Sequence, residues 1–491
     1  MIRLIKAEFK KIFKSKANSI LLLVLMILSG YNCYQIYHTG PSKHLPVENY
    51  INTDGDISEG LDYWKEADKV QRLYTGTLND SIIKKMHQDF MKIIDTYSTD
   101  KVDHAYMLKV YGDNYEEKIE KAKTEGYTTE EFDKIFPNYI SIYKGYWAQP
   151  IEGTDKLKFG GLDIFMEGDA TTSLYSSIYN VYRYNENPDE ITYHTASFEE
   201  LSRWLHASDL TKQQLRKEFL GEAPISSKTE ATIEPLLDRF QKAPHDIGSN
   251  IGNNLYLKSM YELDIFSLLV IILIVSNIFA IEKQHKTDQI MSPSFHGARN
   301  IAIAKLITGV LFAIGIVALQ ISIITLMSII FLPMSDVGFT VYAQSQFFFP
   351  NGLTEFLFTY KEMIFNGILL IMISAIATAC ITMLISYISK NRFVTVIPLL
   401  LIFILTGYIL IFDSILPGTI LDLFFPAQMV HFTRFFHLTF YPGQAQFLPY
   451  FTMFGQTFAW KDAIMLFWVL MSLGMSMFVV MHSRKHNVKT Y

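Results

Sequence analysis

The sequence predicts a polytopic α-helical membrane protein, with six transmembrane helices plus a mainly helical extracellular domain inserted between the first and second spans. Three observations carry that prediction. Half of the 491 residues are hydrophobic and 14% are aromatic, while charged residues make up 19%, below the roughly 25% of soluble domains. The apolar residues are also segregated. Residues 38–262 are polar and charged throughout, whereas nearly everything from Leu263 onward is apolar between short charged loops. Finally, the apolar runs reach the length of about 20 residues that a helix needs to cross the hydrocarbon core.

Residues 1–16 come first. Ile5, Phe9, Ile12 and Phe13 recur at helical spacing with lysines opposite, the pattern of an amphipathic helix lying in the headgroup layer on the cytoplasmic side. The first span follows at 17–37. Its basic flank fits a signal sequence, but SGYNCYQIYHTG has no small-residue cleavage site, so an uncleaved anchor is expected. Five further spans fall within 263–481, at 263–281, 301–333, 362–388, 393–412 and 462–481. The long third span implies tilt or a helical extension. Pro398 and Gly407 lie inside the fifth, where neighbouring helices must satisfy the backbone. Residues 482–491 form a tail.

Basic residues orient the chain. Arg3, Lys6, Lys10, Lys11, Lys14 and Lys16 precede the first span; Lys283, Lys286, Arg299 and Lys305 follow the second; Lys390, Arg392, Arg484, Lys485 and Lys489 fall on the same side. The short loops opposite carry Lys361, Arg434 and Lys461. The positive-inside rule then puts both termini in the cytoplasm and residues 38–262 outside the cell. The localisation expected is the cell membrane, multi-pass.

The outer region carries an acidic excess and no cysteine; Cys33 and Cys380 both sit in apolar runs. A disulfide framework is therefore excluded there. Thr128–Glu131, Ser197–Glu200 and Ser227–Glu230 each fit a capping box that opens a helix. Asp80–Tyr97 has an apolar stripe, and the stretch 145–195 suits loops or a small sheet. Asn79-Asp80-Ser81 matches a glycosylation sequon, a match expected by chance at this length. The histidines lack metal-ligand spacing, and no acid/base pair stands out from a solvated charged face. No ionisable residue is placed mid-span, which argues against a proton- or ion-coupled carrier.

The loop after the second span, FAIEKQHKTDQIMSPSFHGARNIAIAKL, is the most informative stretch. Glu282 leaves the span; Thr287, Met291 and Phe295 belong to a short amphipathic segment; Arg299 precedes the next span and Lys305 lies at its entry. Glu282 among Lys283, Lys286 and Arg299 reads as an exposed charge cluster that orients this segment. The plain alternative is a basic connector with no partner. With the N-terminal run of Lys6, Glu8, Phe9, Lys10 and Lys11, this loop resembles the type-2 ABC transporter permeases. Lys286 departs from the glycine usual in that family. The resemblance covers residues 1–37 and 263–491 and leaves out the outer domain.

That resemblance implies a permease subunit of an ATP-driven exporter, moving an amphiphilic, peptide-like or antimicrobial substrate. Its ATPase-coupling loop would be 282–300, with Glu282, Thr287, Met291, Phe295 and Arg299 as coupling residues. It implies a homodimer or a heterodimer with a related permease, in contact with membrane lipid. Gly30 and Gly407 would let facing first and fifth spans approach along the substrate path. An apolar, proline-broken outer segment at 413–460 would re-enter the membrane. Within it His431, Arg434 and His437 are substrate-path candidates, with interfacial anchoring the simpler reading. Asn277 and Gln320 read as interhelical glue. The chain has no GxxxxGK[ST] loop, so no catalytic residue, metal or cofactor is expected in it. ATP and Mg would sit on a separate cytosolic ABC ATPase. Nothing points to nucleic acid. The competing class is a membrane-anchored sensor whose outer domain binds a ligand and signals through the spans.

Overall fold

The computed structural model describes residues 1–38, 50–51, 57–58, scattered positions between 61 and 88, 108, 112–135, 148–159, 246–247, 249, 251–284, 297–334, 337–338, 359–389, 391–407, 424–431, 450–453 and 456–486. Among these residues the chain is mostly helical, and five helices are long and apolar enough to cross a membrane. That is the build of a multi-pass membrane protein.

Helix α1 (Ile2–Lys14) ends where Ser15 turns extended, and α2 (Lys16–His38) begins at once. Asn18 Nδ2 ties the corner by donating to Ile12 O at 2.9 Å. The apolar row of α1, Ile5, Phe9 and Ile12, turns inward against the Gly297–Phe331 helix instead of facing outward. Phe13 remains half-exposed, its ring edge-on to Phe312 at 6.1 Å.

Three long helices make the centre. They are α5 (Ile251–Val275), which begins well ahead of Leu263, α7 (Gly297–Phe331) and α8 (Tyr360–Ile388). Each packs on the other two, and α5 is the most buried helix of the bundle. Between α5 and α7 lies the short α6 (Asn277–Gln284). Thr359 and Glu362 form a capping box that starts α8; the T-x-x-E pattern was there to be read. Helices α2 and α11 (Trp460–His486) flank the centre and leave broad apolar faces exposed. The fifth predicted span corresponds to α9 (Arg392–Gly407), with Pro398 inside it. Its 16 residues reach about 24 Å at 1.5 Å per residue, and its remainder at 408–412 lies outside the described residues.

Hydroxyls join the central helices. Tyr37 Oη lies 2.6 Å from Ser328 Oγ and accepts from Ser259 Oγ at 3.2 Å, so α2, α5 and α7 meet at one buried point. Tyr256 reaches Thr325 at 3.0 Å, and Tyr360 donates to Asn254 at 2.7 Å. Tyrosine and serine hydroxyls thus tie these helices together.

In the inserted region, β3 (Gly76–Thr77) pairs antiparallel with β6 (Asp246–Ile247) and brings its two ends together. Ahead of them, β1 (Tyr50–Ile51) pairs with β2 (Ile57–Ser58). Helices α3 (Tyr115–Thr124) and α4 (Thr129–Ile135) and the hairpin β4 (Ala148–Pro150) with β5 (Leu157–Phe159) complete the described part. The hairpin falls in the stretch expected to hold a small sheet. Thr128 caps α4 as expected: its N–H donates to Glu131 Oε2 at 3.0 Å, and Glu131 N–H donates to Thr128 Oγ1 at 3.2 Å. Asn79 of the sequon-like triplet is itself a cap, accepting from the N–H groups of Ser81 and Ile82. The two other expected capping boxes lie outside the described residues.

Part of the segment 413–460 is described. Around α10 (Pro426–Met429) the chain is buried against α8 and α9. Ser374 Oγ donates to Pro426 O at 2.5 Å, and Trp468 Nε1 donates to Phe424 O at 2.9 Å. The end of the segment is not helical. It is a hairpin, β7 (Tyr450–Met453) with β8 (Gln456–Ala459), in which Phe451 stacks on Phe458 and lies 4.4 Å from the Trp460 ring. Aromatic cross-strand pairing favours that form.

Candidate functional site: the Glu282 charge cluster

Glu282 sits in the last turn of α6, and its surroundings differ from the exposed cluster the sequence suggests. Its Oε2 accepts from Lys305 Nζ at 2.5 Å, and its Oε1 accepts from Lys11 Nζ at 3.0 Å. Lys11 also donates to Glu8 Oε1 at 2.6 Å. Two carboxylates and two ammoniums therefore run in a line from α1 through α6 to α7. Lys305 is 1% exposed at its side chain and Glu282 14%. A charge as buried as Lys305 has to be paired and hydrogen-bonded, and both conditions are met. Its Nζ donates a second bond to Ile278 O at 2.6 Å and stands 5.0 Å from the centre of the Phe279 ring.

Of the neighbours named in the sequence reading, Lys283 and Arg299 are described, and Lys286 lies outside the described residues. Lys283 turns from Glu282, donates to the Tyr387 carbonyl and lies 4.7 Å from the Tyr387 ring centre. Arg299 is exposed in the first turn of α7. Lys305, placed at the edge of the third span by the sequence, is in fact inside the helix and buried, because Gly297 rather than Ile301 begins it. On α1, Lys11 lies outside the spans. Burial pulls its pKa down, but the hydrogen bonds and charges of Glu8 and Glu282 outweigh burial and hold it above the ordinary lysine value.

The sequence reading missed Glu8 as part of this site. The signal was available, since Glu8 is the sole acidic residue before Glu48 and shares the helical row of Ile5, Phe9 and Ile12. A lone carboxylate on the inward row of a basic helix needs a cationic partner. Among the other candidates, Thr287, Met291, Phe295, Arg434 and His437 lie outside the described residues. Gly30 is on the outward side of α2, where an added Cβ would meet nothing within 4 Å. Gly407 ends α9. Helices α2 and α9 both pack on α5. His431 follows α10, its N–H donating to Gln428 O at 3.1 Å. Among the described residues no group of His, Cys, Asp and Glu could hold a metal ion.

No protein-family model matches the chain, and neither a curated protein nor a solved structure matches it.

Proposed function

We propose that this chain is the membrane-spanning permease subunit of an ATP-driven exporter, working with a separate cytosolic ATPase. The observation that carries the reading is the Glu282 cluster. It binds α1, α6 and α7 into one unit at the point where the chain runs into residues 285–296. A loop that transmits force needs its base fixed to several helices at once, because a base held by one helix would yield locally. A mere connector needs no buried ion pair, and burying one is costly. The sequence carries no P-loop, so in this reading hydrolysis belongs to the partner. Six spans, the extracellular placement of 38–262 and the coupling roles of Thr287, Met291, Phe295 and Arg299 belong to this same reading.

The test is affinity purification of the tagged full chain from its native membranes in mild detergent. The expected result is co-purification of a P-loop ATPase whose hydrolysis is stimulated in the complex, and whose binding falls on Phe295→Asp. Recovery of the chain with no ATPase, together with saturable ligand binding by residues 38–262 in the full chain, would replace the exporter with the sensor.

A further inference from the structure

The inner turns of the second span hold a second arrangement, independent of the ion pair. In a continuous α-helix each carbonyl accepts from the N–H four residues on. Between α5 and α6 that ladder is interrupted at Ser276. Ala280 N–H donates to Ser386 Oγ at 3.0 Å, and Ser386 Oγ donates to Ser276 O at 2.7 Å. The hydroxyl of α8 thus stands between the two backbone groups that a regular helix would join directly. Carbonyls on either side of this break also receive side-chain donors from other helices. Arg392 Nη2 of α9 donates to Leu273 O at 3.2 Å, and Lys305 Nζ of α7 donates to Ile278 O at 2.6 Å. Ser276, Ala280, Ser386 and Lys305 are all buried.

We propose that Ser386 is a positioning residue whose hydroxyl holds the second span open at Ser276 and so sets the direction in which α6 carries Glu282. A side chain inserted into the ladder is a recognised cause of a helix kink. Buried away from water, the backbone groups must find partners in either geometry. They have two ways to do so. With Ser386 in place, both groups bond to its hydroxyl. With Ser386 withdrawn, Ala280 N–H and Ser276 O bond to each other, the ladder closes and α6 re-aims. A small shift of α8 along α5 therefore selects between two satisfied states of the segment bearing Glu282. Lys305 and Arg392 have long side chains that follow their carbonyls through the change. The inference concerns the chain's own mechanics and holds whether an ATPase or a ligand drives it.

The experiment uses the full chain in lipid nanodiscs with spin labels on Gln284→Cys and Leu326→Cys, two exposed positions. Lys305 of α7, which holds Glu282, lies roughly 30 Å along the helix from Leu326 at 1.5 Å per residue, a span that suits pulsed dipolar spectroscopy. Cys33 and Cys380 are buried and stay unlabelled. Ser386→Ala is expected to shift the distance distribution, while Ser386→Thr, which keeps the hydroxyl, restores the wild-type one. An unchanged distribution in Ser386→Ala, or an equal shift in both variants, overturns the proposal. If Ser386→Ala does not accumulate as folded protein, hydrogen exchange of the wild-type chain decides. Amides 277–282 should exchange faster than 266–273, and equal protection of the two stretches would refute the hinge.

Discussion

At the scale of single residues, Glu282 and Lys305 make opposite demands that only the pair resolves. Removing Glu282 strands an ammonium that is 1% exposed, and stranding one partner of a buried pair costs about 3–5 kcal/mol. Glu282→Ala is therefore expected to lower thermal stability markedly in detergent, followed by intrinsic fluorescence. The double change Glu282→Leu with Lys305→Met removes both charges and should recover most of that loss. A Glu282→Ala protein as stable as wild type would mean the pair is solvated. Lys11→Ala is expected to be far milder, because its exposed link to Glu282 falls in the range of about 0–1 kcal/mol for surface pairs. Glu282 was conspicuous in the sequence, since a carboxylate at the end of an apolar run stands out. Its partners were not. Lys283 is adjacent in sequence, but the helix turns it toward Tyr387, while Lys305 and Lys11 reach Glu282 from 23 and 271 residues away.

At the scale of elements, apolar run length locates the long helices, five of which are long and apolar enough to cross a membrane, because a helix in lipid satisfies its own backbone and needs no partner to be recognised. Boundaries are less legible. Helix α5 starts at Ile251 because its polar first turns are covered by neighbours, which hydropathy cannot register. Close approaches are hidden for the same reason. A Cβ on Gly252 would come within 2.5 Å of Pro333 O, a backbone atom that cannot swing aside. On Gly309 it would press on the flexible end of Met383. Gly252→Ala is accordingly expected to lower the melting temperature more than Gly309→Ala, and equal losses would contradict the packing. The capping box of α4 adds a pH dependence. The Thr128 backbone N–H, then its hydroxyl, hold the Glu131 carboxyl below its ordinary pKa. A depressed carboxyl stabilises the fold above its unfolded-state pKa and loses that contribution as pH falls through the folded value. Amide exchange in 129–135 should thus rise as pH drops below about 4, the ordinary carboxylate range, after correction for intrinsic rates. Glu131→Gln should flatten that rise; an unchanged profile in the variant would assign the effect elsewhere.

At the scale of the whole molecule, several helices present apolar faces that no described residue covers, α2 and α9 among them. Ile20, Leu23, Ile27, Tyr31 and Tyr34 of α2 are exposed, as are Phe393, Val394, Ile397 and Leu401 of α9. Lipid covers such faces without preference, so exposure alone does not distinguish lipid from a second permease. The proposed exporter does, because one chain would supply half of its path. Gly30 offers the means of deciding. Its missing side chain leaves space empty within this chain, so a large residue there should not disturb the fold, yet it would obstruct a helix packed closely against α2. Disulfide or bismaleimide cross-linking of Ile27→Cys in native membranes is expected to trap a dimer, since the buried Cys33 and Cys380 stay silent. Adding Gly30→Trp should abolish that dimer and transport while leaving the melting temperature unchanged. Externally added protease should meanwhile cut intact cells within 38–262 and spare the residues after His482. Cross-linking that persists in the Gly30→Trp protein would place the partner on another face, and a chain that yields no dimer at all would leave the α2 face to lipid and remove the paired-permease reading.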